Sequence, residues 1–196
     1  MTAFNPAIHN RRSIRLKGYD YAQEGFYFIT ICCQDRAYLF GEMVNGEMNL
    51  NEFGEIAFEE WKNTEQVRDN CKIYEFVIMP NHIHGIIEIT INKGSKDAIG
   101  KFQSPSQTIG SIVRGFKIVV IKKIKDRFKD SWCELQFAPT INPTVAKKIK
   151  ELDFKIWQRD YFEIIIRNEQ SYERISNYIR TNPKKWKEDK FYNCKK

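Results

Sequence analysis

Two hydrophobic periods alternate along this chain, and their order predicts its elements. Gly25-Phe26-Tyr27-Phe28-Ile29-Thr30-Ile31-Cys32-Cys33 is an aromatic and β-branched run, the composition of a buried strand. Tyr38 to Val44 and Glu47 to Leu50 read as short strands joined by Asn45-Gly46, the strongest short-range signal for a type I′ hairpin. Asn51 can cap a helix whose apolar residues Ile56, Ala57, Trp61 and Val67 recur at roughly helical spacing. The runs Tyr74 to Met79 and Ile83 to Ile89 flank the turn residues Pro80-Asn81 and predict a second hairpin.

The stretch from Asn92 to Pro105, rich in Lys, Gly, Ser and Pro, predicts a loop. A helix opening at Ser106 or Thr108 and running to about Lys129 follows, with Ile109, Ile112, Val113, Phe116, Val120 and Ile124 as its apolar stripe. Its other faces carry Arg114, Lys117, Lys122, Lys123, Lys125, Arg127 and Lys129. Asp130 to Leu152, with Pro139 and Pro143, yields no regular element. Phe154 to Arg159 and Tyr161 to Ile166 read as a strand region broken near Asp160. Asn168 caps a last helix that should end at Asn182, because Pro183 disfavours helical geometry in the residue before it. Without the first hairpin the order is β-α-β-β-α-β-α. That is an α+β, ferredoxin-like (RRM-like) plan, an antiparallel sheet with helices on one face, plus a C-terminal helix. Its first and third strands are central, and the third carries His82 and His84.

The 196 residues suit one domain over the whole chain, with a basic lead of about residues 1–20 and a basic tail of about residues 184–196. A net charge of +7, from 32 Lys and Arg against 25 Asp and Glu, points to a polyanionic partner. No run approaches the ~18 apolar residues of a membrane span, and Met1 to Asn10 lacks the apolar centre of a signal peptide, so a cytoplasmic protein without membrane contact is expected. The five cysteines are odd in number and none forms a C-x-x-C pair, which points to a reducing compartment and no structural zinc.

Two of the three histidines, His82 and His84, flank Ile83 on a predicted strand. Alternation sends both imidazoles to one face and Ile83 to the other. The pair reads either as a two-imidazole metal clasp or as two ordinary histidines on a solvated face. On the last helix Tyr172, Ile175 and Ile179 form an apolar stripe, and Tyr178 and Asn182, four residues apart, share a face at its edge. They read as a phenol and an amide presented together, or as a core aromatic and a helix cap.

Met79-Pro-Asn-His82-Ile-His84-Gly, then Trp157-Gln-Arg-Asp-Tyr-Phe-Glu, then Ile175-Ser-Asn-Tyr178-Ile-Arg-Thr-Asn182-Pro183-Lys-Lys-Trp186 resemble, in that order, the motifs of the REP-associated tyrosine transposases. These are single-tyrosine members of the HUH nuclease superfamily, and the resemblance runs from Arg12 through Gly18-Tyr19-Asp20-Tyr21 to Trp186. It implies that His82 and His84 are metal ligands, Tyr178 the nucleophile and Asn182 the third protein ligand, with Tyr161 a rival nucleophile that lacks an amide one turn later. It also implies a divalent Mg²⁺ or Mn²⁺ ion and single-stranded DNA with a hairpin as substrate. Attack by Tyr178 would give a 5′-phosphotyrosine and a free 3′-hydroxyl, making the protein both nickase and strand transferase. Relatives often carry a histidine where this chain has Ile164. A monomer is expected, with a dimer as the alternative.

Arg12, Arg15, Arg114, Lys117, Lys184 and Lys185 are candidates to track phosphates, and Trp186 to stack an unpaired base. Two other readings stand beside the transposase: a single-strand-binding module without chemistry, and a metal phosphodiesterase that uses activated water.

Overall fold

Alternating burial along the strands divides the molecule into two faces of one sheet. The computed structural model describes residues 20–90, 108–133 and 142–192, without the side chains of 130–133. Among the described residues the strands are β1 (Gly25–Cys32), β2 (Gly41–Val44), β3 (Glu47–Leu50), β4 (Cys71–Met79), β5 (His82–Ile89) and β6 (Phe162–Ile166). The helices are α1 (Glu52–Asn63), α2 (Ile109–Cys133), α3 (Pro143–Glu151) and α4 (Glu169–Thr181). Strands β4-β5-β1-β6 form the antiparallel sheet in that order, and β2-β3 form a separate ribbon. This is the ferredoxin-like order, with β1 and β5 central. Asn45 and Gly46 both take positive φ, 52° and 82°, as a type I′ turn requires.

One face carries Tyr27, Ile29 and Ile31 of β1 and Ile83 and Ile87 of β5, packed under Phe53, Ala57 and Trp61 of α1 and the predicted stripe of α2. The other carries Phe28, Ile86 and Ile166, packed under Ile175 and Ile179 of α4. The C-terminal helix therefore covers the face opposite α1 and α2. Gly85 lets α1 approach the central strand: a Cβ built there would lie 2.6 Å from the ring of the buried Trp61. Gly85→Ala is expected to destabilise the fold by about 1–3 kcal/mol through overpacking, measured as a lower urea midpoint at unchanged slope.

Several boundaries differ from the sequence reading. β2 starts at Gly41 rather than Tyr38, because the Leu39 and Phe40 amides donate instead to the carbonyl of Pro80. β4 starts at Cys71 and crosses an irregularity between Ile73 and Phe76. α3 lies within Asp130 to Leu152, where the sequence pattern predicts no regular element. Asn142 caps it by accepting from the amides of Thr144 and Val145, and Pro143 takes its first position, where a missing N–H costs nothing. Phe154 to Arg159 is not a strand: Asp153 and Phe154 have positive φ in the turn that closes α3, and only Trp157 bridges to Cys33. Asn182 keeps right-handed helical geometry (φ −55°, ψ −43°) despite Pro183, and the chain continues into a 3₁₀ turn, Pro183–Glu188. The pre-proline penalty is modest, and the burial of Trp186 within the turn and of Phe191 beyond it opposes it. The expected loop from Asn92 to Pro105 lies outside the described residues. No helix among the described residues is long and apolar enough to cross a membrane.

Candidate metal and tyrosine site

His82 and His84 are the first and third residues of β5, directly after the two-residue turn, so both side chains enter the layer between the sheet and α4. They are 0% and 1% exposed, which removes the solvated-face alternative. Their rings meet edge to face with centroids 4.5 Å apart. The C-terminal segment covers them: the Phe191 ring lies 4.5 Å from that of His82, and the Trp186 ring 6.0 Å away.

A second set of partners orients each imidazole. Asn81 donates both its amide hydrogens, to the carbonyls of Arg36 and Phe191, so its Oδ1 faces Nδ1 of His82 at 2.8 Å as an acceptor. His82 therefore carries its proton on Nδ1, and its Nε2 lone pair points into the site. Nδ1 of His84 meets the Thr30 hydroxyl at 2.8 Å, which leaves its Nε2 facing Tyr178. Burial lowers the pKa of His82 to about 4, and burial together with the neighbouring His82 and Lys190 puts His84 well below its ordinary value. Both rings are thus neutral near pH 7, the form that binds a metal ion.

α4 brings the phenol to this pair. Asn168 caps the helix at Ser171, and Glu75 of β4 ties it down by accepting from the Tyr172 hydroxyl at 2.8 Å and from Arg180 at 2.7 Å. The Tyr178 hydroxyl then lies 3.1 Å from Nε2 of His84 and 3.3 Å from Oδ2 of Asp189. Burial first, then the charge of Asp189 and its hydrogen bond, raise the Tyr178 pKa to about 12. The Asn182 amide donates to the same Oδ2 at 2.8 Å. Arg174, Asn177, Tyr178, Asn182, Lys185 and Asp189 line a cleft of about 280 Å³ that opens the phenol to solvent.

Two buried polar atoms here have no hydrogen-bond partner, Nε2 of His82 and Oδ1 of Asn182. Leaving such atoms bare is costly, and both are good donors to a divalent cation. Among the described residues His82, His84 and Asp189 also form a group whose ligand atoms lie within 4.8 Å of one another, close enough to share one ion. Asp189 was missed by the sequence reading. It sits in a tail that reads as a basic run, and no local spacing signals it; only the 3₁₀ turn after Asn182 carries it back over the histidines.

No family model matches the chain. An uncharacterized protein of Haemophilus influenzae is 43% identical over 204 residues, a match that covers 97% of this chain and 98% of that protein. The chain belongs to that protein's family. Among solved structures, a REP-associated tyrosine transposase bound to a REP hairpin is similar with a TM-score of 0.52 and 19% identity, over 89% of this chain and 74% of that one. The likeness is one of fold, and it includes the four-stranded antiparallel sheet and its helices.

The remaining candidates are distributed unevenly. Tyr161, the rival phenol, packs against the core under α1 and α2, on the face opposite the histidines. Trp186, expected to stack a base, is instead 6% exposed and holds Met79 and the His82 ring from behind. Lys117, expected to reach a phosphate, instead donates to the carbonyls of Gln158, Arg159 and Asp160 at 2.8, 3.3 and 3.0 Å, tying α2 to the segment before β6. Arg114, Lys184 and Lys185 are exposed, and Lys185 stands on the rim of the cleft. Arg12 and Arg15 lie outside the described residues. Ile164 is 42% exposed on β6, paired with Phe28.

Proposed function

We propose that this protein is a metal-dependent single-stranded DNA endonuclease and strand transferase, a transposase of the REP-associated tyrosine kind, with a hairpin-forming palindromic repeat as substrate. The observation that carries the reading is a phenol within hydrogen-bond reach of one of two buried, neutral imidazoles, beside the orphaned Nε2 of His82 and Oδ1 of Asn182. His82, His84 and Asn182 would hold a Mg²⁺ or Mn²⁺ ion, with Asp189 as a fourth donor that the sequence did not announce. Such an ion would draw charge from the non-bridging oxygens of the scissile phosphate and ease attack on phosphorus.

The chain's own residues supply the rest. Tyr178 Oη attacks phosphorus, the bond from phosphorus to the 3′ oxygen breaks, and the 5′ phosphate remains on the tyrosine. Asp189 is placed to take the phenolic proton as the bond forms, and the departing 3′ oxygen takes a proton from solvent. The phosphotyrosine keeps the energy of the phosphodiester, so a later 3′-hydroxyl can displace Tyr178 and rejoin a strand. Lys185 on the rim of the cleft, its neighbour Lys184, Arg114 on α2, and Arg12 and Arg15 in the lead are proposed phosphate contacts. Because Tyr178 and both histidines come from one chain, a monomer can carry the whole site.

The deciding experiment mixes the full chain with Mn²⁺ or Mg²⁺ and end-labelled hairpin DNA bearing single-stranded flanks, then maps any covalent adduct by mass spectrometry. A metal-dependent nucleotide on the peptide containing Tyr178 is the expected result. Cleavage with no adduct would replace this reading with a water-using phosphodiesterase. Binding without cleavage would leave a recognition module.

A further inference from the structure

An open apolar strip lies beside this site. β6 is an edge strand, and register places its side chains. Phe162 pairs with Thr30, which pairs in turn with His84, and Ile164 pairs with Phe28. Phe162 and Ile164 therefore share the sheet face that carries both histidines. α4 covers their neighbours Phe28, Ile86 and Ile166, yet Phe162 and Ile164 remain 42% exposed each. They lie two residues apart on one strand, on the side of the sheet that also holds the half-exposed Tyr178, whereas Val44, Val67 and Ile118 are exposed singly elsewhere. The ammonium of Lys190 lies 5.6 Å from the centroid of the Phe162 ring and 4.8 Å from that of Phe191, so a cation stands at the margin of the strip.

We propose that Phe162 and Ile164, with Lys190, form a stacking platform for an unpaired nucleobase next to the phosphodiester cut at Tyr178. The inference rests on the function proposed above for the course of the strand. Two strand spacings, ~10 Å, separate the Phe162 and His84 positions, and up to about three nucleotides at the stacked rise of ~3.4 Å bridge that distance. An aromatic ring beside a branched aliphatic side chain offers an apolar surface to any base face, and Lys190 supplies the charge for the adjoining phosphate. Neither Phe162 nor Ile164 has a hydrogen-bonding group in its side chain, so the platform holds a base without reading its identity. Two side chains fall far short of the ~800 Å² per partner that a stable protein interface buries, which favours a base over a second copy of this chain on this edge.

The test places 2-aminopurine in turn at each unpaired position flanking the hairpin and reads its fluorescence on binding to the full chain carrying Tyr178→Phe, which prevents cutting. Quenching at one or two adjacent positions is expected, lost in Phe162→Ala and kept in Phe162→Trp, with DNA affinity about tenfold weaker in the alanine variant. Because Phe162 is a surface residue, the alanine variant is expected to fold. Quenching that persists in Phe162→Ala overturns the proposal. So does sedimentation showing a dimer that Phe162→Ala dissociates without any change in quenching. The parent chain, assayed alongside for the metal-dependent adduct, separates the two readings. An adduct without Phe162-dependent quenching defeats the platform alone, Phe162-dependent quenching without an adduct defeats only the proposed chemistry, and neither signal defeats both.

Discussion

Tyr178→Phe is expected to abolish the covalent protein–DNA adduct and to slow strand cleavage by at least about a thousandfold, because it deletes the attacking oxygen and nothing else. The ring would stay where it is. Its contacts with His84 and Phe28, at centroid separations of 5.2 and 6.2 Å, do not involve the hydroxyl. The lost oxygen meets polar partners, His84 at 3.1 Å and Asp189 at 3.3 Å among them, in a half-exposed position, so stability should change by about 1 kcal/mol. DNA binding should persist, which separates a missing nucleophile from a misfolded protein. Tyr161→Phe is the control. That phenol packs on the far face of the sheet, so its loss should leave the adduct intact. Cleavage that survives Tyr178→Phe, measured as single-turnover rates on labelled hairpin DNA, would refute the assignment of the nucleophile.

The second large effect concerns the imidazoles. Adding Mn²⁺ to chelator-treated protein at about a hundred times its dissociation constant should stabilise the fold by about 2.7 kcal/mol. For a chain of this length that is a rise in Tm of about 5–10 °C. His82→Gln and His84→Gln should each remove most of this shift and reduce metal-dependent adduct formation by more than about a hundredfold. The structural reason is that Nε2 of His82 and Oδ1 of Asn182 are buried without partners, and both carry a lone pair that a divalent ion would accept. Asp189→Asn should lessen the shift without abolishing it, since it removes a charge and keeps an oxygen. Scanning calorimetry with and without metal settles the matter: an unchanged Tm in the parent protein, or an equal rise in the histidine variants, would refute the metal site.

Local chemistry made much of this legible. Asn45-Gly46 dictated a type I′ turn because both residues tolerate positive φ. The 3.6-residue stripe from Ile109 to Ile124 dictated a helix with one buried side. Alternation from His82 to Ile89 placed both imidazoles on one face, and the four-residue step from Tyr178 to Asn182 placed phenol and amide on one side of α4. Each of these follows from periods set by backbone geometry, which a single stretch of sequence contains in full.

Other features had no local cause. That the histidine face is dry depends on α4 and the segment from Pro183 to Tyr192 lying across it, and that contact joins residues about a hundred positions apart. Trp186 and Lys117 read as nucleic-acid contacts because an aromatic or a lysine in a basic run has the same sequence signature whether it faces solvent or the interior. Only packing turned one inward against His82 and the other onto three carbonyls. Asp189 joined the site because Asn182 stays helical before a proline, a choice settled by the burial of Trp186 and Phe191 rather than by local preference. Local chemistry sets which groups are present and which face each one takes on its own element. Their burial, hence their protonation, and the distances between them come from packing, because desolvation and proximity arise only when separate elements meet.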